Sequence, residues 1–275
     1  MRKSAYTVLN IVFLFFIFFF FGGSFWLWKG KIIQILSPQS DVLPPALSFE
    51  DIKNSSVLVT VPNGGTSTST PALVTSTLPV SVDLPKEMNL AVPFTSQAPE
   101  KNWDQPWQDA CEEAAVLMMD AYYGNQKLSV LFSKDEILKM VKWEEEKNWG
   151  RSIEIEKVQD LVQYYMPNIL TSKNLKTKII ENPTVEQIKK YVAAGTPVLV
   201  VADGKILPNP HFQNGGPEYH ALVIRGYTET EFITNDPGTQ FGENFKYKYH
   251  DLMKSIRDWN AGDVKNGRRV ILVIE

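Results

Sequence analysis

The chain has 275 residues, room for one or two domains, and its 28 basic and 31 acidic side chains leave a formal net charge of −3. That balance lacks the basic excess on which nucleic-acid binding draws, so no nucleic-acid partner is expected. Cys111 is the one cysteine in the chain, which excludes an intrachain disulfide.

The run from Tyr6 to Trp28 carries no charge, and its length suits a bilayer-spanning helix of about 20 residues. Arg2 and Lys3 precede it, Lys29 and Lys31 follow it, and Trp26 and Trp28 stand where interfacial aromatics belong. It is longer than the apolar region of a cleaved signal peptide, about 7–15 residues. Residues 1–31 are therefore expected to be an uncleaved transmembrane anchor, with Arg2, Lys3 and the amino terminus inside and the bulk of the chain extracytoplasmic. Residues 32–88 hold Ser37-Pro38, Pro44-Pro45, Pro62-Asn63-Gly64-Gly65 and a Ser/Thr-rich tract. This composition cannot build a packed core, so a flexible linker is expected.

From Asn89 to Glu275 the composition is that of one globular domain. A short strand is expected over 92–95. The spacing of Ala110, Ala114, Leu117, Met118 and Ala121 predicts a helix over 109–123. Asp109 and Glu112 fit a capping box at its start. Ser133 with Glu136 predicts the start of a second helix toward Lys147. A third is expected over 152–165, stopped by Pro167. A strand over 176–180 precedes a helix capped by Thr184 and Gln187 and ending near Gly195. Strands are then expected over 197–202, 219–228, 231–235 and 269–274. Helices in the first half and strands in the second make an α+β order.

Cys111 falls in the first turn of the predicted helix. A lone cysteine is more often a buried apolar residue than a nucleophile. A helix N-terminus, however, favours the thiolate, the reactive form. The carboxyls of Asp109, Glu112 and Glu113 would oppose this unless they point to solvent. A nucleophilic thiol needs a base, and the candidates are His211, His220 and His250. His220 opens an apolar strand after a long Pro/Gly/Asn-rich loop, 203–217, of the kind that forms lids or binding loops. His211 lies in that loop and could be a supporting or substrate-contacting group, whereas His250 reads as ordinary surface. A hairpin of 219–228 against 231–235 would carry Asp236 back toward His220, where a carboxylate would fix the imidazole tautomer. Taken alone, Asn235-Asp236-Pro237-Gly238 is also good turn chemistry. Acyl transfer further needs oxyanion donors. The Cys111 N–H can supply one, and Gln97 or Gln105 the other. Trp103 and Trp107 either line a cleft or pack inside. One cysteine and three scattered histidines lack the close pairings of a zinc site, so neither metal nor cofactor is expected.

At VPFTSQAP, DACEEAAVLMMDAYYG, EYHALVIRGYTE and FITNDPG the chain resembles the papain-like cysteine peptidases. It is most similar to cysteine peptidase family thirty-nine, whose best-known members process bacteriocin leaders. The resemblance implies a papain-like domain over 89–275, with Cys111 as nucleophile, His220 as base and Asp236 as the orienting acid. It implies a glutamine as oxyanion donor: Gln97, within the family-like VPFTSQ segment, or Gln105, six residues before Cys111. Glu112-Glu113 stands where many relatives have Gly-Pro. Leader processing is not implied, since the chain has no phosphate-binding loop of an ATP-driven transporter. The expected activity is peptide or amide hydrolysis, on proteins, peptides or cell-wall peptides. The alternative is a non-catalytic peptide-binding module on the same fold.

Overall fold

The computed structural model describes residues 42–57 and 84–275. The expected anchor over 6–28 and most of the expected linker fall outside the described residues. Among the described residues no helix is long and apolar enough to cross a membrane. The described residues from Pro44 onward belong to one unit, so part of the expected linker belongs to the domain. Helix α1, Phe49–Val57, is why. Phe49 is buried, with its ring edge-on to Tyr122 and Tyr123 at 6.0 and 5.0 Å. Leu47 bridges to Leu90, and the Asn89 amide donates to the Pro44 carbonyl at 3.1 Å. A single aromatic anchor and a few backbone bonds thus order a segment whose composition reads as tether.

The helices that follow are α2 (Cys111–Gly124), α3 (Val130–Glu146), α4 (Ile155–Tyr165), α5 (Pro167–Lys173), α6 (Val185–Ala193) and α7 (Tyr249–Ser255). The strands are β1 (Met88–Asn89), β2 (Thr177–Glu181), β3 (Val198–Ala202), β4 (His220–Tyr227), β5 (Glu231–Asn235), β6 (Phe245–Lys248) and β7 (Val270–Ile274). They form one antiparallel sheet in the order β2-β7-β3-β4-β5-β6, with β1 also on β4. Every residue of β3, β4 and β7 is buried. Side chains alternate between the two faces of a strand, so both faces of the sheet centre are covered. The mixed helix and antiparallel-sheet architecture agrees with the expected α+β class.

Several local expectations change. Helix α3 starts earlier, because Ser129 and not Ser133 is its N-cap, accepting from the Phe132 N–H. Ser133 is buried inside the helix. Pro167 ends α4 but also begins α5, since proline suits a first helical position. Residues 92–95 are not a strand, and β6 and α1 were not foreseen. Thr184 caps α6 as expected, accepting from the Gln187 N–H at 3.2 Å.

Helix α2 is buried from Cys111 through Tyr123. A helix covered on all sides belongs in the core, and its alanines let it approach β4 closely. The predicted capping box is absent. Ala110 is the N-cap and provides no side-chain bond, while Asp109 belongs to a preceding short 3-10 turn. Glu112 is therefore buried and not a surface capping group.

Candidate active site

The sheet places His220 and Asp236. In the β4–β5 hairpin Tyr227 faces Phe232 and Gly226 faces Ile233, but then Ile224 faces Thr234 and Val223 faces Asn235. Arg225 is the extra residue of a β-bulge. Continuing this register sets Asp236 opposite Leu222, on the same face as His220. Without the bulge Asp236 would oppose Val223 and point to the other face, because a one-residue slip reverses every side chain. Arg225 is itself buried, and burial lowers its pKa to about 10. Its guanidinium donates to Asn89 at 3.0 Å and to Asn235 at 3.4 Å. Asn235 in turn donates to the Val92 and Pro93 carbonyls. The bulge thereby ties the VPFTSQ segment to the strand that ends at Asp236.

His220 Nε2 and Asp236 Oδ1 are 2.7 Å apart, with both residues almost wholly buried. The other carboxylate oxygen of Asp236 accepts from Tyr247 at 2.5 Å and Asn209 at 3.1 Å. Oδ1 also accepts the Gly238 N–H at 3.0 Å. Burial alone would raise this carboxyl. The His220 charge and the hydrogen bonds from His220, Tyr247 and Gly238 outweigh it and hold Asp236 below the usual carboxylate range. Gly238 is required by space: a Cβ there would lie 2.7 Å from His220 Cε1. Phe212, from the 203–217 loop, packs edge-on against the imidazole at 5.2 Å.

Cys111 is buried beside this pair. The backbone N–H of Ala221, the residue after His220, lies toward the thiol and acts to lower its pKa. It has no hydrogen bond to His220 itself. The thiol instead donates to Glu112 Oε2 at 2.9 Å, while Glu112 Oε1 accepts the Ile153 N–H at 3.1 Å. Burial and the adjacent Glu112 carboxyl push the Cys111 pKa well up, against the lowering expected from a helix start. Burial also lifts Glu112 itself to about 7, against the hydrogen bonds from Cys111 and Ile153.

Gln97 joins the site and Gln105 does not. Gln97 is buried and its N–H is bonded to the Pro237 carbonyl at 3.0 Å, next to Asp236. Its side-chain amide donates to the Trp107 and Gln108 carbonyls at 2.9 and 3.0 Å, leaving Oε1 without a hydrogen-bond partner. Both amide protons are thus engaged in holding the turn that leads into Cys111. Gln105 is exposed and donates to Asp109 at 2.9 Å.

A cavity of about 830 Å³ opens over the site. Gln97, Asp109, Tyr219 and Gly238 line it, and Trp103, Phe212, Phe241 and Trp259 give it an aromatic character. Cys111 and His220 do not line it themselves. Trp107 is buried and not part of the lining, whereas His211 is on the rim, 4.9 Å from the Phe241 ring. His250 is exposed on α7, beside Asp251 at 3.2 Å. Sequence reasoning missed Asn209 and Tyr247. The alternation of Phe245 and Tyr247 is a strand signal that could have found the tyrosine. Asn209, between two prolines in a loop, carries none.

A cysteine at the first turn of a buried helix, packed against a strand with a buried His–Asp pair, defines a cysteine-peptidase-like domain of the papain-like class. The chain belongs to the Peptidase_C39 like family, whose family model matches residues 89–263. Among solved structures it is similar to one described as a candidate C39-like peptidase from Bacillus anthracis, with 17% identity and a TM-score of 0.46. That likeness covers 70% of this chain and 98% of that one. No curated protein matches the chain.

Proposed function

We propose that the protein is a membrane-anchored cysteine peptidase or amidase in which Cys111 attacks an amide carbonyl. The observation that carries this reading is the buried His220–Asp236 pair at 2.7 Å, next in chain to Ala221, whose backbone N–H lies toward the Cys111 thiol. Asp236 engages Nε2, so Nδ1 is the ring nitrogen that takes the thiol proton. In the reaction the thiolate forms a C–S bond to the carbonyl carbon. The imidazolium then protonates the leaving amine as the C–N bond breaks. Water, losing its proton to His220, hydrolyses the thioester and restores the thiol. The Cys111 backbone N–H at the helix start and the Gln97 amide serve the oxyanion. For this the Gln97 amide must exchange one carbonyl partner for the substrate oxygen.

In this reading residues 1–31 anchor the chain and the domain works outside the membrane on peptide, protein or cell-wall peptide bonds. Alkylation by iodoacetamide across pH, comparing wild type with His220→Ala, tests the pair. Fast reaction well below the free thiol pKa of about 8.5, slowed in the variant, supports it. An inert thiol, or equal rates in both proteins, removes the catalytic assignment. One observation favours the second reading, a non-catalytic peptide-binding module. The Cys111 thiol donates to Glu112 and not to His220. Persistent inertness of the thiol with retained peptide binding would select that reading.

A further inference from the structure

A second cavity, of about 470 Å³, lies between the start of α2 and the end of α3. It shares Asp109 and Arg151 with the cleft described above, so the two adjoin. Glu113 and Glu144 line it, both buried. Glu113 Oε2 and Glu144 Oε1 have no hydrogen-bond partner. A buried carboxyl oxygen without a donor is costly and calls for an explanation. Nearby cations do not supply one. Lys142, on the same wall, is ion-paired with neither, and Arg151 reaches toward Asp109 at 4.0 Å. Glu145 and Asp109 add further negative charge to the walls.

The rest of the lining is apolar. Leu138, Val141 and Trp149 are packed against the core and face the same space. Among the described residues no three His, Cys, Asp or Glu side chains are grouped to hold a metal ion. Two buried carboxyls with unpartnered oxygens behind an aliphatic and aromatic wall suit a different cation, one carried on a hydrocarbon stem. The stem lies along the apolar wall while the charged head meets the carboxyls.

We propose that this cavity is a subsite for a lysine or arginine side chain of a peptide lying in the adjoining cleft, with Glu113 and Glu144 receiving the cationic head. The proposal rests on the peptidase reading only in taking the cleft as the path of the peptide. Capture of the cation does not require hydrolysis. Electrostatics agree with the geometry. Burial, and then Glu112, raises Glu144 to about 9. Burial, and then Glu144 and Glu112, raises Glu113 well above its usual range. A bound cation would offset that repulsion and let both ionise.

The test is an NMR titration of the full chain, following the Trp149 indole N–H, with N-acetyl-lysine methylamide and its uncharged counterpart N-acetyl-norleucine methylamide. The lysine probe is expected to bind at least tenfold more tightly and to shift the Trp149 signal. Glu113→Gln and Glu144→Gln should each remove most of that preference without changing norleucine binding, and Glu144→Asp should restore part of it. Thermal unfolding of each variant establishes that it is folded. Equal binding of the two probes, no binding of either, or a preference that survives both glutamine variants overturns the subsite. Turnover is measured separately on wild type. A dead enzyme that still prefers the lysine probe would sink the peptidase reading and leave the subsite standing.

Discussion

Asp236 and Glu112 are both buried in the same site, one beside His220 and the other beside Cys111, yet their carboxyls sit in opposite circumstances. Asp236 collects donors from His220, Tyr247, Asn209 and Gly238 and stays below the usual range. Glu112 has the Ile153 N–H and a weakly donating thiol, and it rises to about 7. Behind it Glu113 and Glu144 each keep an oxygen with no partner, and rise further. Burial opposes ionisation equally in kind everywhere. The supply of donors decides which carboxyl remains an anion. The sheet side of the site therefore carries a fixed negative charge that can support an imidazolium. The helix side carries carboxyls whose charge depends on pH and on what binds.

The largest expected effect breaks the sheet side. Asp236→Asn keeps the shape but removes the charge, and should lower peptide hydrolysis by a factor on the order of 10²–10⁴. The measurement is kcat/KM, and a loss under tenfold would mean that Asp236 does not support the base.

The next falls on the helix side. A carboxyl raised in the folded state binds a proton that the unfolded chain has already released. Stability from Glu144 is therefore present near and below pH 4.5 and is lost as pH rises through about 9. Each pKa unit is worth about 1.4 kcal/mol, so Glu144→Gln should gain ~2–4 kcal/mol at pH 9 relative to wild type and little at pH 5. Denaturant unfolding at both pH values checks this, and parallel pH profiles for the two proteins would contradict it.

A third prediction concerns the segment whose composition reads as a linker. Phe49→Ala should cost about 3 kcal/mol, because a buried aromatic leaves a cavity when truncated. An unchanged unfolding midpoint would return residues 44–57 to the linker.

The smallest effect sharpens the comparison at the thiol. Glu112→Gln keeps an acceptor for the Cys111 proton but removes the negative charge that holds the thiol pKa up. Alkylation of Cys111 at pH 8 should rise about tenfold, a gain of ~1.4 kcal/mol, and should lose any inflection near pH 7. Retention of that inflection in the variant would assign it to another group.

Much of this was legible along the chain. The apolar runs of β3, β4 and β7, the Thr184 cap of α6 and the candidates Cys111, His220 and Asp236, each within its own short motif, are local patterns, set by side-chain size, hydrophobicity and turn chemistry that short windows contain. The tertiary structure decided the rest. The bulge at Arg225 turns Asp236 to the face of His220, through bonds to Asn89 and Asn235 that are remote in sequence or across the hairpin. Packing of α2 into the core buries Glu112 and Glu113, which sequence alone would leave at a solvated helix start. Phe49 is buried against the rings of Tyr122 and Tyr123, which are remote from it in sequence. Residue type and spacing thus determined which groups could react, whereas burial and long-range hydrogen bonds, which no local window holds, decided their orientation and charge.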